Sequence, residues 1–313
     1  MNKYQLFLRK FPQTKRSHPL APLTTYKIGG PADLFLEVAD EKIIVSAIRE
    51  AKKLKIKWFL LGGGSNLVIS DEGFRGLVLK IKEKPIVVKN SQITAGAGCN
   101  LQKVVKRAQK ESLTGLEFAV GIPGTLGGAV YGNAGAWGRS MEKVLASARV
   151  LSPDGKVEIW KNKDFGFTYR ASKIKGEKGQ KHIILAVTLK LHHGKKKKIA
   201  QEMAKNLIGR GHLPKEFSAG CIFQNVIATP QITKKFPPQA IKHGKIPTGW
   251  IVERLGLKGK KSGKAFISRE HGNFILNPGG ASASDIKKLK NLIKEKTRER
   301  FGLKLKEEVE FVG

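Results

Sequence analysis

Residues 115–138 read GLEFAVGIPGTLGGAVYGNAGAWG, a segment in which glycines and small residues crowd into an otherwise apolar run. Glycine lowers helix and strand stability but removes the Cβ barrier to unusual dihedrals, so a cluster of glycines lets backbone N–H groups gather around an anion such as a diphosphate. Upstream, the apolar run WFLL at 58–61 has the length of a buried strand, and it empties at once into Gly62, Gly63, Gly64, Ser65 and Asn66. No Gly-Lys-Ser/Thr follows, which excludes a P-loop, and the spacing is not the G-x-G-x-x-G of a dinucleotide fold. A tight turn accounts for GGGSN alone. The two clusters together point to a phosphate cradle built from both.

The chain has 313 residues, more than one core usually holds, so two or more lobes are expected. No run of 18 apolar residues marks a transmembrane helix. The N-terminal MNKYQLFLRKFPQTKR lacks the apolar core and cleavage site of a secretory signal. Cys99 and Cys221 are too few for a disulfide framework, and no cluster has metal-ligand spacing, so no metal is expected. A reducing cytoplasm fits. The 59 Lys and Arg against 25 Asp and Glu give a net charge of +34, which raises nucleic-acid binding as a reading. The basic residues are scattered, however, with 195–198 the one tight run and no aromatic-interleaved motif beside it. The field is expected to attract polyanionic small molecules rather than a specific nucleic acid.

Apolar positions Ile43, Ile44, Ala47, Ile48 and Ala51 have helical spacing over 41–54, and 100–109 reads as another helix. Residues 146–151 and 156–160 flank Pro153-Asp154-Gly155 as a hairpin, and 182–191 is a strong strand. The lysine run after it reads as a linker, with a new region from about Ile199. Ser284 is placed to cap a final helix that carries Ile286, Leu289, Leu292 and Ile293 on one face and ends near Phe301-Gly302.

Residues 24–38 (TTYKIGGPADLFLEV), 61–79 (LGGGSNLVISDEGFRGLVL), 94–98 (TAGAG) and the 115–138 block, in that order, resemble the UDP-N-acetylenolpyruvoylglucosamine reductase family. The likeness continues through YRAS at 169–172, SAGCIFQN at 218–225, GWIVERLGLKG at 249–259, HGNFILN at 271–277 and the terminal Glu308-Val309. It implies an α+β fold: a flavin-binding domain of the vanillyl-alcohol-oxidase type in two subdomains over 1–194, and a C-terminal α+β substrate domain over 199–313 whose last strand returns to the flavin region. The short span between Trp137 and Tyr169 lacks an inserted tyrosine-bearing loop, as in the shorter, second type of this family.

The resemblance further implies non-covalent FAD, NADPH as reductant and UDP-N-acetylglucosamine enolpyruvate as substrate, in a monomer. Hydride goes to the terminal carbon of the enol ether and a proton to its neighbour, which calls for a cation, a polar acid and a proton donor. Arg170 is the expected cation and Glu308 the acid, flanked by Glu307 and Glu310 as other carboxylates in reach of the motif. Cys221 stands where most relatives carry the donor serine. Gly62, Gly63, Gly64, Ser65 and Asn66 are expected to hold the cofactor with Ile122, Pro123, Gly124, Gly127, Gly128 and Asn133. Tyr169, Arg210, Asn225 and His271 are the expected substrate contacts, with His212 beside Arg210; Gln224 replaces a usual lysine and Trp137 a common tyrosine. Another flavin oxidoreductase of the same fold and a basic nucleic-acid-binding protein are the alternatives.

Overall fold

The segment expected to be helical over 41–54 forms the helix Glu41–Lys53 because Asp40, in extended backbone, accepts from the N–H of Lys42 and Ile43, while Ile44, Ala47, Ile48 and Ala51 line one buried face. Asn100 caps Leu101–Lys110 in the same way. These elements belong to a computed structural model that describes residues 2–176 and 182–313. The described chain divides into two units.

The first unit comprises Met1–Ser17, Asp33–Gly63 and Gly76–Gly211 and holds two larger sheets beside short two-stranded ones. In one, Trp58–Leu61 is an edge strand parallel to Phe74–Ile81, with Pro31–Val38 and Lys15–Pro19 beyond it. The other is antiparallel, in the order Val157–Lys161, Leu145–Leu151, Ile183–Lys190, Gln92–Gly96, Val87–Lys89. The expected hairpin is the first pair of this sheet. One apolar core joins Leu34, Leu36, Leu77 and Leu79 of the first sheet to Ile93, Val150, Val187 and Leu189 of the second, with Ile44 and Val104 from the two capped helices.

The second unit comprises His18–Ala32, Gly64–Arg75 and His212–Gly313. Its core packs Ile286, Leu289 and Ile293 of the helix Ala283–Phe301 against Ile222, Phe223, Ile251 and Ile267. Tyr26 is fully buried there. Its hydroxyl donates to Ile275 O at 2.8 Å, and Asn277 Nδ2 donates to Tyr26 O at 2.8 Å, so the 24–28 segment is tied at both its ring and its main chain. The last strand, Glu310–Val312, pairs in parallel with Leu67–Ile69, directly after the GGGSN loop.

Two expectations are corrected. The lysine run is not a linker: Lys196–Arg210 is a helix whose Ile199, Met203 and Asn206 are buried while Lys196, Lys197 and Lys198 are exposed, so the apolar spacing outweighs the charge run. The final helix is capped by Ser282, not Ser284. Ser282 accepts from Asp285 N and the Asp285 carboxylate accepts from Ser282 N, a capping box, and Asp71 adds acceptors for the N–H of Ala283 and Ser284.

Candidate active site

In the first unit the two glycine clusters meet backbone to backbone. A Cβ on Gly63 would stand 2.5 Å from Gly124 Cα, and one on Gly62 would meet Thr125 Oγ1 at 3.1 Å. Beneath them Leu101 N donates to Gly124 O, Leu126 N to Cys99 O and Gly127 N to Ala97 O, at 3.0, 2.8 and 2.9 Å. A Cβ on Gly127 would lie 2.6 Å from Ala97 Cβ. Gly127 and Gly128, whose N–H goes to Thr125 Oγ1 at 3.2 Å, thus spend their donors inside the protein and contribute close approach. A seam bare of side chains fits the diphosphate of a flavin dinucleotide, because an anion can come within hydrogen-bond distance of the main chain there. Cys99 beside it is buried, and burial pushes its thiol up, with the Glu83 charge adding and Lys103 opposing.

Gln102 is a residue that sequence reasoning missed. Its Nε2 donates to Ala119 O at 2.9 Å and Ile122 O at 2.6 Å, and its Oε1 accepts from Gly121 N at 2.8 Å, pinning the turn that presents Ile122, Pro123 and Gly124. Arg210 lies along the same turn: a Cβ on Gly121 would come within 3.1 Å of its Cδ and Nε.

The 115–138 block also receives the YRAS motif. Asn133 Nδ2 donates to Thr168 O at 3.0 Å, Arg170 Nη1 to Gly135 O at 2.8 Å, and Ser172 Oγ to Tyr131 O at 2.7 Å. Asn133 is buried and its Oδ1 accepts from Glu142 N, so its side chain is a brace between loops. Arg170 has a φ of +58°, unusual for a non-glycine residue, and its guanidinium carbon sits 5.7 Å from the Tyr169 ring centroid. Trp137 also has positive φ, in the two-residue turn between Gly135–Ala136 and Arg139–Ser140, and its ring packs on Gly209, where a Cβ would come within 2.6 Å of Trp137 Cη2.

In the second unit, the residues expected to donate the proton and to act as acid come together. Cys221 bridges to Phe274, and the next residue, Ile222, accepts through its carbonyl from Glu308 N at 2.8 Å. Asn66 Nδ2 donates to Glu308 O at 2.9 Å, and Glu310 N donates to Asn66 O at 3.0 Å. The end of the GGGSN loop is therefore stitched to both sides of Glu308. Cys221 and Glu308 are each partly exposed. Glu307 is occupied elsewhere: its Oε1 lies 2.7 Å from Lys294 Nζ and 3.2 Å from Lys290 Nζ. Burial would raise its carboxyl, but the two lysines hold it below the usual range.

Asn273 is a second missed residue. Its Nδ2 donates to Phe223 O and its Oδ1 accepts from Phe223 N, and its own carbonyl accepts from Ile222 N, so it replaces a strand neighbour beside Cys221. The His271 imidazole has its pKa pulled below the ordinary value chiefly by burial, with the charges of His212 and Lys258 contributing, and its Nδ1 accepts from Asn273 N at 3.3 Å. Asn225 Oδ1 accepts from Thr248 N at 3.1 Å, at the start of the helix Thr248–Arg254. Gln224 is buried, its main chain bonded to Lys306 O and Thr248 Oγ1. Among the described residues no group of His, Cys, Asp and Glu is placed to hold a metal.

Residues 32–160 match a model of an FAD binding domain, and residues 213–312 match the C-terminal domain of UDP-N-acetylenolpyruvoylglucosamine reductase. The chain is similar to the UDP-N-acetylenolpyruvoylglucosamine reductase of Bacillus pumilus (strain SAFR-032), at 37% identity over 99% of this chain and 98% of that protein. It is similar to that of Bacillus subtilis (strain 168) at 38% identity over 95% and 93%. Among solved structures it is similar to UDP-N-acetylenolpyruvylglucosamine reductase from Thermus caldophilus, with a TM-score of 0.75 and 32% identity over 96% of this chain and 98% of that one.

Proposed function

The chain belongs to the UDP-N-acetylenolpyruvoylglucosamine reductase family, and from that premise we propose how its residues carry out the family reaction. The protein is an FAD-dependent oxidoreductase that reduces the enolpyruvyl group of UDP-N-acetylglucosamine enolpyruvate to UDP-N-acetylmuramate, a peptidoglycan precursor. When bound, the flavin would supply the hydride and NADPH would recharge it; the protein supplies position, charge and the proton.

Gly62 to Asn66, with Ile122, Pro123 and Gly124, would hold the flavin diphosphate, with no covalent link needed. Gly127, Gly128 and Asn133 keep the loops closed. Arg170, fixed by Gly135 and by the ring of Tyr169, meets the substrate carboxylate and neutralises the charge that grows there during hydride arrival. Glu308 donates a hydrogen bond to the enolic oxygen. Cys221 protonates the carbon: a thiol with a reference pKa of about 8.5 gives up a proton far more readily than a serine hydroxyl. Tyr169, Arg210, Asn225 and His271 bind the UDP-sugar, with the region 199–313 forming most of its seat. The protein works as a monomer in the cytoplasm in this reading; among the described residues no helix is long and apolar enough to cross a membrane.

The observation that carries this reading is the Ile222–Glu308 hydrogen bond, which sets the Cys221 strand beside the acid while Asn66 ties the same residue to the flavin loop. Cys221→Ala tests it in rapid-mixing experiments. Reduction of the flavin by NADPH should be unchanged, and its reoxidation by the enolpyruvyl substrate slowed by about a hundredfold or more, the usual weight of a positioned acid. Cys221→Ser should retain part of the rate. Full reoxidation by Cys221→Ala would sink the role.

A further inference from the structure

Lys290 is the one lysine or arginine that is buried among the described residues, at 7% exposure. It stands on the core face of the helix Ala283–Phe301, between Leu289 and Ile293. Its Nζ lies 3.2 Å from Glu307 Oε1 and 4.0 Å from the centroid of the Phe311 ring. One cation therefore holds the residue before Glu308 by charge and the residue three after it by its ring. Lys294 reaches the same Glu307 oxygen at 2.7 Å from the next turn of the helix. An ammonium is costly to bury, and a well-packed apolar side chain in such a place is often as stable or more so. Stability alone leaves a lysine here unexplained, whereas fixing the register of the segment beside it does not.

We propose that Lys290 is a positioning residue for Glu308: it holds the 307–311 segment at both ends and keeps Glu307 on the helix, so that Glu308 is the carboxyl group set beside the Cys221 segment. The proposal rests on the reading of Glu308 as the acid that meets the enolic oxygen. Successive residues of an extended chain present opposite faces, so a Glu307 bound to the helix directs its neighbour away from it. The Glu308 main chain, bonded to Ile222 O and from Asn66, then has one register only.

The test compares FAD-loaded Lys290→Met, Lys290→Arg and Glu308→Gln with the parent protein in both half-reactions, together with thermal melting. In Lys290→Met, Glu307 keeps Lys294, so the fold is expected to hold, with Tm unchanged or raised. Its flavin should be reduced by NADPH at the parent rate and reoxidised by substrate about tenfold more slowly, with kcat falling and KM shifting less than about twofold. Lys290→Arg should recover most of that loss, since a guanidinium also pairs with the carboxylate and stacks on the ring. If Lys290→Met fails to fold, Glu307→Gln, which removes the same ion pair and spares the buried stem, carries the same kinetic expectation. Parent-like reoxidation in Lys290→Met while Glu308→Gln is slow overturns the positioning role and leaves the Glu308 reading standing. Equal slowing of both half-reactions reduces Lys290 to a structural residue and also overturns it. Parent-like reoxidation in Glu308→Gln removes the Glu308 reading and this inference with it.

Discussion

His271 shows how one side chain in the candidate site shapes the behaviour of the protein with pH. Burial chiefly, with the nearby charges of His212 and Lys258, holds its folded pKa below the ordinary 6.5, so the unfolded chain binds a proton more readily than the folded one does. Stability therefore rises with pH wherever the unfolded state carries the extra proton. Its contribution is complete above the ordinary histidine value and is lost as pH falls from there toward the folded pKa. Urea midpoints measured between about pH 7 and 5 should fall for the parent and fall less steeply for His271→Gln. Identical slopes in the two proteins would contradict the buried, neutral imidazole. Glu307 works in the same direction at lower pH, since its depressed carboxyl gives stability that is present above the ordinary carboxylate range and lost as pH falls through the folded pKa. Cys221 is the proposed proton donor, and its partial exposure makes alkylation by a thiol reagent a second test of that proposal beside the alanine variant.

At the scale of elements, the seam between Gly63 and Gly124 is sensitive to mutation. A Cβ at 2.5 Å from backbone carbon cannot be relieved by rotating a side chain, so Gly63→Ala must push the two loops apart. The expected result is a protein with parent-like far-UV circular dichroism and an FAD dissociation constant raised by about tenfold or more, measured by ultrafiltration of the yellow cofactor. Unchanged flavin affinity would mean that the seam is not the cradle. Contact between these loops was foreshadowed in the sequence by composition alone, because crowded glycines are a local signal of close approach. Gln102, Asn273 and the Lys290–Glu307 pair were not legible. An amide that bonds to distant main chain has no spacing or periodicity to betray it, and a lysine within a helix reads as surface until its neighbours in space are known. The cap itself has a sequence signal: Ser282 and Asp285 stand three apart as a capping box requires, whereas Ser284 has Lys287 at that position. The lysine run reads as a linker by its charge, whereas the apolar spacing of Ile199 and Met203 decides the helix.

For the whole molecule, each unit holds some of the residues proposed to carry the chemistry. The first packs the glycine seam and ties Arg170 to Gly135 O, and the second sets Cys221, Glu308 and Asn66 on adjoining segments. The order of motifs along the chain made the α+β fold and the family legible. The way 18–32 and 64–75 are built into a unit with 212–313 was hidden, since it depends on Tyr26 finding Ile275 and on Leu67–Ile69 pairing with the last strand, both contacts of great sequence separation. The central claim is that this chain runs both half-reactions of an enolpyruvyl reductase, and an anaerobic visible spectrum tests it most directly. The purified protein should show an oxidised flavin band that bleaches on adding NADPH and returns only when UDP-N-acetylglucosamine enolpyruvate is added. A band that bleaches and stays bleached with that substrate, or a protein that takes up no FAD at all, would contradict the account.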